Sequence, residues 1–132
     1  MFVFDRPVRF ADVDAARIVF FARFLEYCHD ALEALFAPLE GGYAAMINRR
    51  DLGVPSVRVE VDYRAPLRYG DTARVETRVE RVGRTSIVFV HTLRRLADSV
   101  ECAVVRQVVV TTTLSTLRPV PVPDDLRALL EG

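Results

Sequence analysis

The chain of 132 residues contains no lysine, and all 18 of its basic side chains are arginine. That excludes a Schiff-base lysine and a phosphate-loop lysine. Cysteine is scarce. Cys28 and Cys102 stand far apart with no CxxC spacing, which argues against a disulfide framework or a zinc site and for two buried, reduced thiols. Neither sign of charge is in excess, since 18 acidic residues balance the 18 basic ones. A nucleic-acid binder held by bulk charge is therefore not expected. No uncharged apolar run approaches the roughly 18 residues of a membrane span. The longest are broken by Arg23, Glu26 and Arg106. The opening MFVFDRPVRF carries Asp5 and Arg6 and offers no signal-peptide core. A soluble, cytoplasmic protein is expected. GxSxG, HExxH and GxGxxG are all absent, which leaves serine-hydrolase, zincin and dinucleotide-binding readings without support.

What is present is a large apolar fraction, 51% of the residues, in a length that fits one domain over 1–132. Phe2, Phe4, Val8 and Phe10 recur at even spacing, which predicts a strand with one buried face, and Pro7 places it near an edge or bulge. A short loop over residues 11–17 leads into a helical pattern from Ile18 to Ala37. Its polar residues Arg23, Glu26, His29, Asp30 and Glu33 fall within an arc of about 120°, so the helix is nearly engulfed by apolar neighbours. Its length would be about 30 Å. Pro38 and Gly41-Gly42 end it, and a short helix over Tyr43–Arg49 follows.

After Pro55 the period changes to two. Strands are predicted over 57–64, 73–80, 86–96 and 100–114, with turns at Gly70-Asp71, Gly83-Arg84 and Ala97-Asp98-Ser99. Short turns between consecutive strands predict an antiparallel meander. The tail reads as an extended segment over Pro119–Pro123 and a helix over Asp124–Glu131, capped by Asp124 or Asp125.

The loop before the long helix holds Asp12 and Asp14. On residue type alone, either is a candidate helix N-cap, because a carboxylate there accepts orphan N–H groups and complements the dipole. The same geometry serves chemistry: a helix N-terminus offers N–H donors to an oxyanion, and a carboxylate beside it acts as base or nucleophile.

The segment Arg9-Phe10-Ala11-Asp12-Val13-Asp14-Ala15-Ala16-Arg17-Ile18-Val19-Phe20-Phe21-Ala22-Arg23-Phe24 closely resembles the opening motif of the 4-hydroxybenzoyl-CoA thioesterase family, approximately F-x-D-x-D-x-x-G-h-V-y-F-x-x-Y. Val61-Asp62-Tyr63-Arg64-Ala65-Pro66-Leu67-Arg68-Tyr69-Gly70-Asp71 is similar to its second block, a strand ending in a P-L-x-x-G-D turn. Gly83-Arg84-Thr85-Ser86 resembles the turn after the next strand. The resemblance implies an α+β hotdog fold, in which a curved antiparallel sheet wraps one long central helix. It implies hydrolysis of an acyl-CoA thioester at sites on a dimer interface, without metal or cofactor. Asp14 occupies the catalytic position, and the backbone N–H of Phe21, in the first turns of the helix, would polarise the thioester carbonyl. Arg17, Tyr63, Arg84, Thr85 and Ser86 are the substrate-binding residues the resemblance implies, the last three where the family contacts pantetheine and phosphate. Two positions depart from the pattern: Arg17 replaces the family's glycine beside the acyl site, and Phe24 replaces a tyrosine.

His29 and His91 fit no dehydratase context and read as structural or interface histidines. Two further readings stand beside the thioesterase. One is a non-catalytic hotdog protein that binds an acyl thioester or a partner, which Arg17 keeps open. The other is a cone-shaped fold resembling ketosteroid isomerase, which normally starts with helices, whereas this chain starts with a strand. Finally, in the last two strands Val88 and Val90 lie on the parity opposite to Ile87 and Phe89, and Val105 and Val109 on the parity opposite to Val104, Val108 and Val110, so whichever parity packs on the helix leaves valines on the other. An exposed β-branched patch is expected there, to be covered by a second copy or by the tail. The expected assembly is a homodimer at minimum, favouring a homotetramer.

Overall fold

The alternation in the last three long strands builds the sheet directly. A computed structural model describes residues 1–132. In chain order the elements are β1 (Phe2–Pro7), α1 (Arg23–Phe36), α2 (Gly42–Asn48), β2 (Leu52–Gly53), β3 (Ser56–Tyr63), β4 (Thr72–Val82), β5 (Ser86–Arg95), β6 (Glu101–Val110), β7 (Thr112–Thr113), β8 (Arg118–Pro119) and α3 (Asp124–Glu131). The main sheet is antiparallel with strand order β1-β4-β5-β6-β3, and β2, β7 and β8 make a small second sheet.

The expected meander is correct for β4, β5 and β6 but not for β3. That strand pairs with β6 at one edge, while β1 takes the free side of β4 at the other. The residues 64–71 that link β3 to β4 are a crossing rather than a tight turn. Arg64 and Ala65 donate their N–H groups to the Cys102 carbonyl, at 2.8 and 3.1 Å, and the Leu67 carbonyl accepts from Val19 at 2.8 Å. The chain is thereby carried along the end of the sheet.

Ala73, Val75, Ile87, Phe89, Leu93, Ala103, Val105 and Val109 point inward and are buried. α1 lies on them in two apolar clusters. Phe24, Tyr27, Cys28 and Ala31 meet Val75, Leu93 and Val105, while Leu32, Leu35 and Phe36 meet Ile87, Phe89 and Val109. Each such buried side chain contributes about 1.5–3 kcal/mol. Between the clusters a row of polar groups crosses the inner face. Thr77 Oγ1 donates to His91 Nδ1 at 2.7 Å, His91 Nε2 to Gln107 Oε1 at 2.9 Å, and Gln107 Nε2 to Ser56 Oγ at 2.8 Å.

Three expectations are corrected. First, α1 starts at Arg23 rather than Ile18, and its 14 residues span about 21 Å. Val19 and Phe20 spend their N–H groups on the Leu67 and Asp12 carbonyls, which takes the preceding segment out of the helix. Second, α3 has no aspartate cap. Pro123 is its N-cap, and Asp124 and Asp125 sit in the first turn, where they complement the dipole. Third, the tail does not cover the outer face. Val122 and Leu126 join the inner cluster around Phe36 and Ile87.

Nor is the outer valine patch bare, since Val88 and Val90 are only 6% and 8% exposed in a single chain. Val90 stands in register between Arg78 and Arg106. Arg106 and Arg94 hold Glu80 and Glu76 across the strands, and arginine stems shield apolar surface in this way. Those two valines therefore need no back-to-back partner. No helix is long and apolar enough to cross a membrane.

Candidate active site

Three segments converge where α1 begins: the loop over residues 12–22, the end of β3, and the 64–71 crossing. The loop is a small hairpin. Val13 bridges to Val19, Asp14 N–H donates to the Ile18 carbonyl at 3.0 Å, and Arg17 N–H to the Asp14 carbonyl at 2.9 Å. Closing so tight a turn puts Arg17 in the left-handed region at φ 66°. The turn itself therefore calls for the glycine of the family pattern. The crossing is set by its own turn chemistry. Gly70 takes φ 97°, and Asp71 closes the turn by accepting Arg68 N–H at 2.8 Å.

Neither aspartate caps α1, whose N-terminus has no side-chain cap at all. Asp14 is exposed at the tip of the hairpin, with Oδ1 accepting Ala16 N–H at 2.8 Å. Asp12 is buried. Its Oδ2 accepts the Tyr27 hydroxyl at 2.7 Å and Arg9 N–H at 2.9 Å, with the Arg6 guanidinium 3.4 Å away. Burial works against the ionised form of Asp12. The Arg9 N–H, the Tyr27 hydroxyl and the charges of Arg6 and Arg23 outweigh it and hold the carboxyl below its ordinary range. Burial and the same carboxylate push the Tyr27 phenol upward.

Phe21 precedes α1 by two residues instead of lying inside it. Its N–H donates to no group of the protein, and its carbonyl accepts the Tyr63 hydroxyl at 2.7 Å. Phe21 and Asp14 line one cavity of about 600 Å³ with Phe20, Phe24, Tyr63 and Pro66. Tyr63 meets Phe24 edge-on, ring centres 5.3 Å apart, and Phe21 at 6.3 Å. Phe24 thus turns an aromatic face to the site where the family pattern has a phenol. Arg64, which pairs with Glu101, and Arg68 complete the charged lining.

Asp14, Phe21 and Tyr63 are therefore brought together, whereas Arg17, Arg84, Thr85 and Ser86 are not among the groups lining the cavity. Arg17 is exposed on the hairpin. The Gly83–Ser86 turn closes the far end of the β4–β5 hairpin, beyond the Val82–Ile87 pair, while the Ala73–Arg95 end adjoins the crossing. About 30 Å of strand separates the two ends. The turn is fastened to the C-terminal segment, since Thr85 and Arg84 carbonyls accept from Thr111 and Val122, each at 2.8 Å.

His29 is exposed and pairs with Glu33 at 3.0 Å, and His91 is wholly buried in the polar row. Burial lowers the His91 pKa against the opposing pull of the Gln107 bond. No three His, Cys, Asp or Glu side chains gather where they could hold a metal ion. Sequence reasoning missed Arg6 and Tyr27, because a tyrosine on the apolar arc of a helix reads as core.

An α+β chain with this sheet order and an aromatic cavity at the start of α1 has the architecture of the hotdog thioesterases. The model of the thioesterase-like superfamily matches residues 8–130, and the chain belongs to that family. A 1,4-dihydroxy-2-naphthoyl-CoA hydrolase from Thermosynechococcus vestitus is 32% identical over 130 residues, covering 98% of this chain and 88% of that protein. One of the same name from Synechococcus elongatus is 38% identical over 82 residues, so that the match spans 61% of this chain and 60% of the relative's length. These relatives are named for a naphthoyl rather than a 4-hydroxybenzoyl substrate. Among solved structures, a thioesterase superfamily protein from Jannaschia sp. CCS1 superposes with TM-score 0.88 at 30% identity, covering 98% of this chain and 90% of the other. A 1,4-dihydroxy-2-naphthoyl-CoA thioesterase from Synechocystis gives TM-score 0.89 at 23% identity over 98% and 94%, which speaks for the shared fold.

Proposed function

We propose that the chain hydrolyses the thioester of an aromatic acyl-CoA. One observation carries the reading: Asp14 and Phe21, whose N–H has no partner, line a single cavity walled by Phe20, Phe24 and Tyr63. Aromatic walls suit a planar acyl group. The names of the relatives point the same way.

A thioester carbonyl is already activated, so the protein needs only an oxyanion donor and a carboxylate. Asp14 takes the proton of an attacking water, or attacks the carbonyl carbon itself. The carbonyl oxygen takes up negative charge, which the Phe21 N–H at the head of α1 receives. Collapse of the tetrahedral intermediate breaks the carbon–sulfur bond and the thiolate leaves. Where water attacked, the thiolate gains the proton that Asp14 took, and where Asp14 attacked, its proton comes from the water of the next step. In the attack by Asp14, water then hydrolyses the mixed anhydride.

The reading includes a homodimer. β3 is hydrogen-bonded on one side only, and beside it Val57 and Val59 are 63% and 40% exposed. An unpaired apolar edge is a template for another strand. Antiparallel pairing of β3 with a second copy would set the far end of one protomer beside the cavity of the other. That would bring Arg84, Thr85 and Ser86 to the CoA, a role their own protomer's geometry denies them.

The test is thiol release from aromatic, short-chain and long-chain acyl-CoAs with an Asp14→Asn control. Turnover fastest on the aromatic thioesters and lost in Asp14→Asn supports the proposal. Stabilisation by acyl-CoA without turnover would favour the non-catalytic binder instead.

A further inference from the structure

We infer that Asp12 and Tyr27 are positioning residues that set the spacing between the Asp14 carboxylate and the Phe21 N–H. The inference rests on the thioesterase reading of Asp14 and Phe21. Asp12 is the one acidic side chain buried in the chain, 3% exposed. A buried carboxylate must be paired, and this one is paired entirely to the frame around the site. Its Oδ2 accepts from Arg9 ahead of the hairpin and from Tyr27 on α1, with Arg6 of β1 at 3.4 Å. Arg6 in turn lies over the Tyr27 ring, 4.7 Å from its centre, and donates to Asp30 at 3.0 Å.

The main chain of the same residue ties the other end of the loop. The Asp12 carbonyl accepts Phe20 N–H at 2.9 Å. Asp12 thus stands two residues before Asp14 and is bonded to the residue just before Phe21. Through its side chain it is also locked to the second turn of α1. One residue therefore joins the entry of the hairpin, its exit and the helix, and the two reacting groups hang from that joint. The Asp14 side chain itself is held only by Ala16 N–H. Its placement consequently depends on the backbone, and the backbone depends on Asp12. Tyr27 does not line the cavity and makes no bond to Asp14, and its ring stacks on Phe24 at 6.5 Å. Phenylalanine keeps that stacking, so the part of its effect that belongs to the hydroxyl passes through Asp12.

Tyr27→Phe removes one hydroxyl and leaves the ring under Arg6. Thr77→Val removes the buried hydroxyl that serves His91, away from the loop, and is the control for lost stability. Tyr27→Phe is expected to lower kcat on an aromatic acyl-CoA about ten-fold or more, with KM within about two-fold. It should also speed amide hydrogen exchange at Asp14 and Phe20 about ten-fold relative to β4–β6. Thr77→Val should lower the melting midpoint while leaving kcat and loop exchange unchanged. If Tyr27→Phe behaves like Thr77→Val, the positioning role is overturned. Should the wild-type protein hydrolyse no acyl-CoA, the thioesterase reading fails. The exchange comparison then still decides whether the Asp12–Tyr27 joint holds the loop. Asp12→Asn, which keeps the side chain's size, carries the same readouts if Tyr27→Phe does not fold.

Discussion

Tyr63 at the end of β3 donates its hydroxyl hydrogen to the carbonyl of Phe21 at 2.7 Å, fastening the residue whose N–H is free to an edge strand. A neutral hydrogen bond of this kind contributes about 1 kcal/mol. Tyr63→Phe keeps the edge-on contact with Phe24 and loses only that bond. Its kcat should fall about five-fold, with a stability loss of no more than about 1 kcal/mol by denaturant titration. A variant as active as wild type would show that the Phe21 carbonyl needs no anchor.

Asp14→Asn separates chemistry from folding. The amide oxygen of asparagine still accepts Ala16 N–H and closes the same turn. Stability should stay within about 0.5 kcal/mol of wild type. Loss of the base should lower kcat by about 10² to 10⁴. Thiol-release kinetics and a melting curve on one preparation check both halves.

β4 was legible because it exposes one parity of polar side chains, Arg74, Glu76 and Arg78 against Ala73, Val75 and Thr77, while β5 and β6, apolar on both parities, were legible from the turns that bound them. Their order was less so. Nothing within Ser56–Tyr63 says that it pairs with β6, because the partner is decided by the crossing at Leu67. The start of α1 was misread for a related reason. Ile18, Val19, Phe20 and Phe21 satisfy a helical period, but Val19 and Phe20 give their N–H groups to carbonyls remote in sequence. Of the two candidate aspartates, residue type alone could not tell the buried clamp from the exposed group, and only the family resemblance singled out Asp14. That difference lies in Tyr27 and Arg6, fifteen residues after and six before Asp12.

Arg17 carries backbone strain that can be measured. A non-glycine residue in the left-handed region costs about 1–2 kcal/mol, while glycine loses about 0.5–1 kcal/mol more chain entropy on folding. Arg17, at φ 66°, is exposed and forms no ion pair. Arg17→Gly should therefore raise stability by about 0.5 kcal/mol, and the β-branched Arg17→Val should lower it by more than about 1 kcal/mol. Equal midpoints for the two variants would refute the strain.

His91 gives stability a pH dependence. Burial lowers its folded pKa below the ordinary value near 6.5, so the folded chain resists protonation that the unfolded chain accepts. Above about pH 6.5 both states are neutral and the polar row contributes in full. As pH falls below that value the unfolded state binds the extra proton, and stability is lost at up to about 1.4 kcal/mol per pH unit. The loss ends once pH drops below the folded pKa. Urea midpoints measured from pH 7.5 to 5 should decline for the wild type and decline less for His91→Gln. Parallel curves would assign the decline to other groups.

β3 is expected to carry the contact between two copies of the chain. Its outer backbone edge faces no strand of its own chain, and Val57 and Val59 leave apolar surface beside it. Light scattering at micromolar concentration should give twice the 14.9 kDa chain mass. Val59→Lys puts a charge into the seam between β3 and α1, the device by which natural edge strands prevent pairing. It should return the mass of one chain with its circular dichroism intact. Because Arg84 would then have no cavity within reach, the same variant should lose kcat/KM on CoA thioesters more steeply than on a short pantetheine thioester that lacks the nucleotide phosphates. A single-chain mass for the wild type would sink the dimer. A monomeric Val59→Lys protein with full activity on acyl-CoA would leave the dimer standing but remove the second copy from the site.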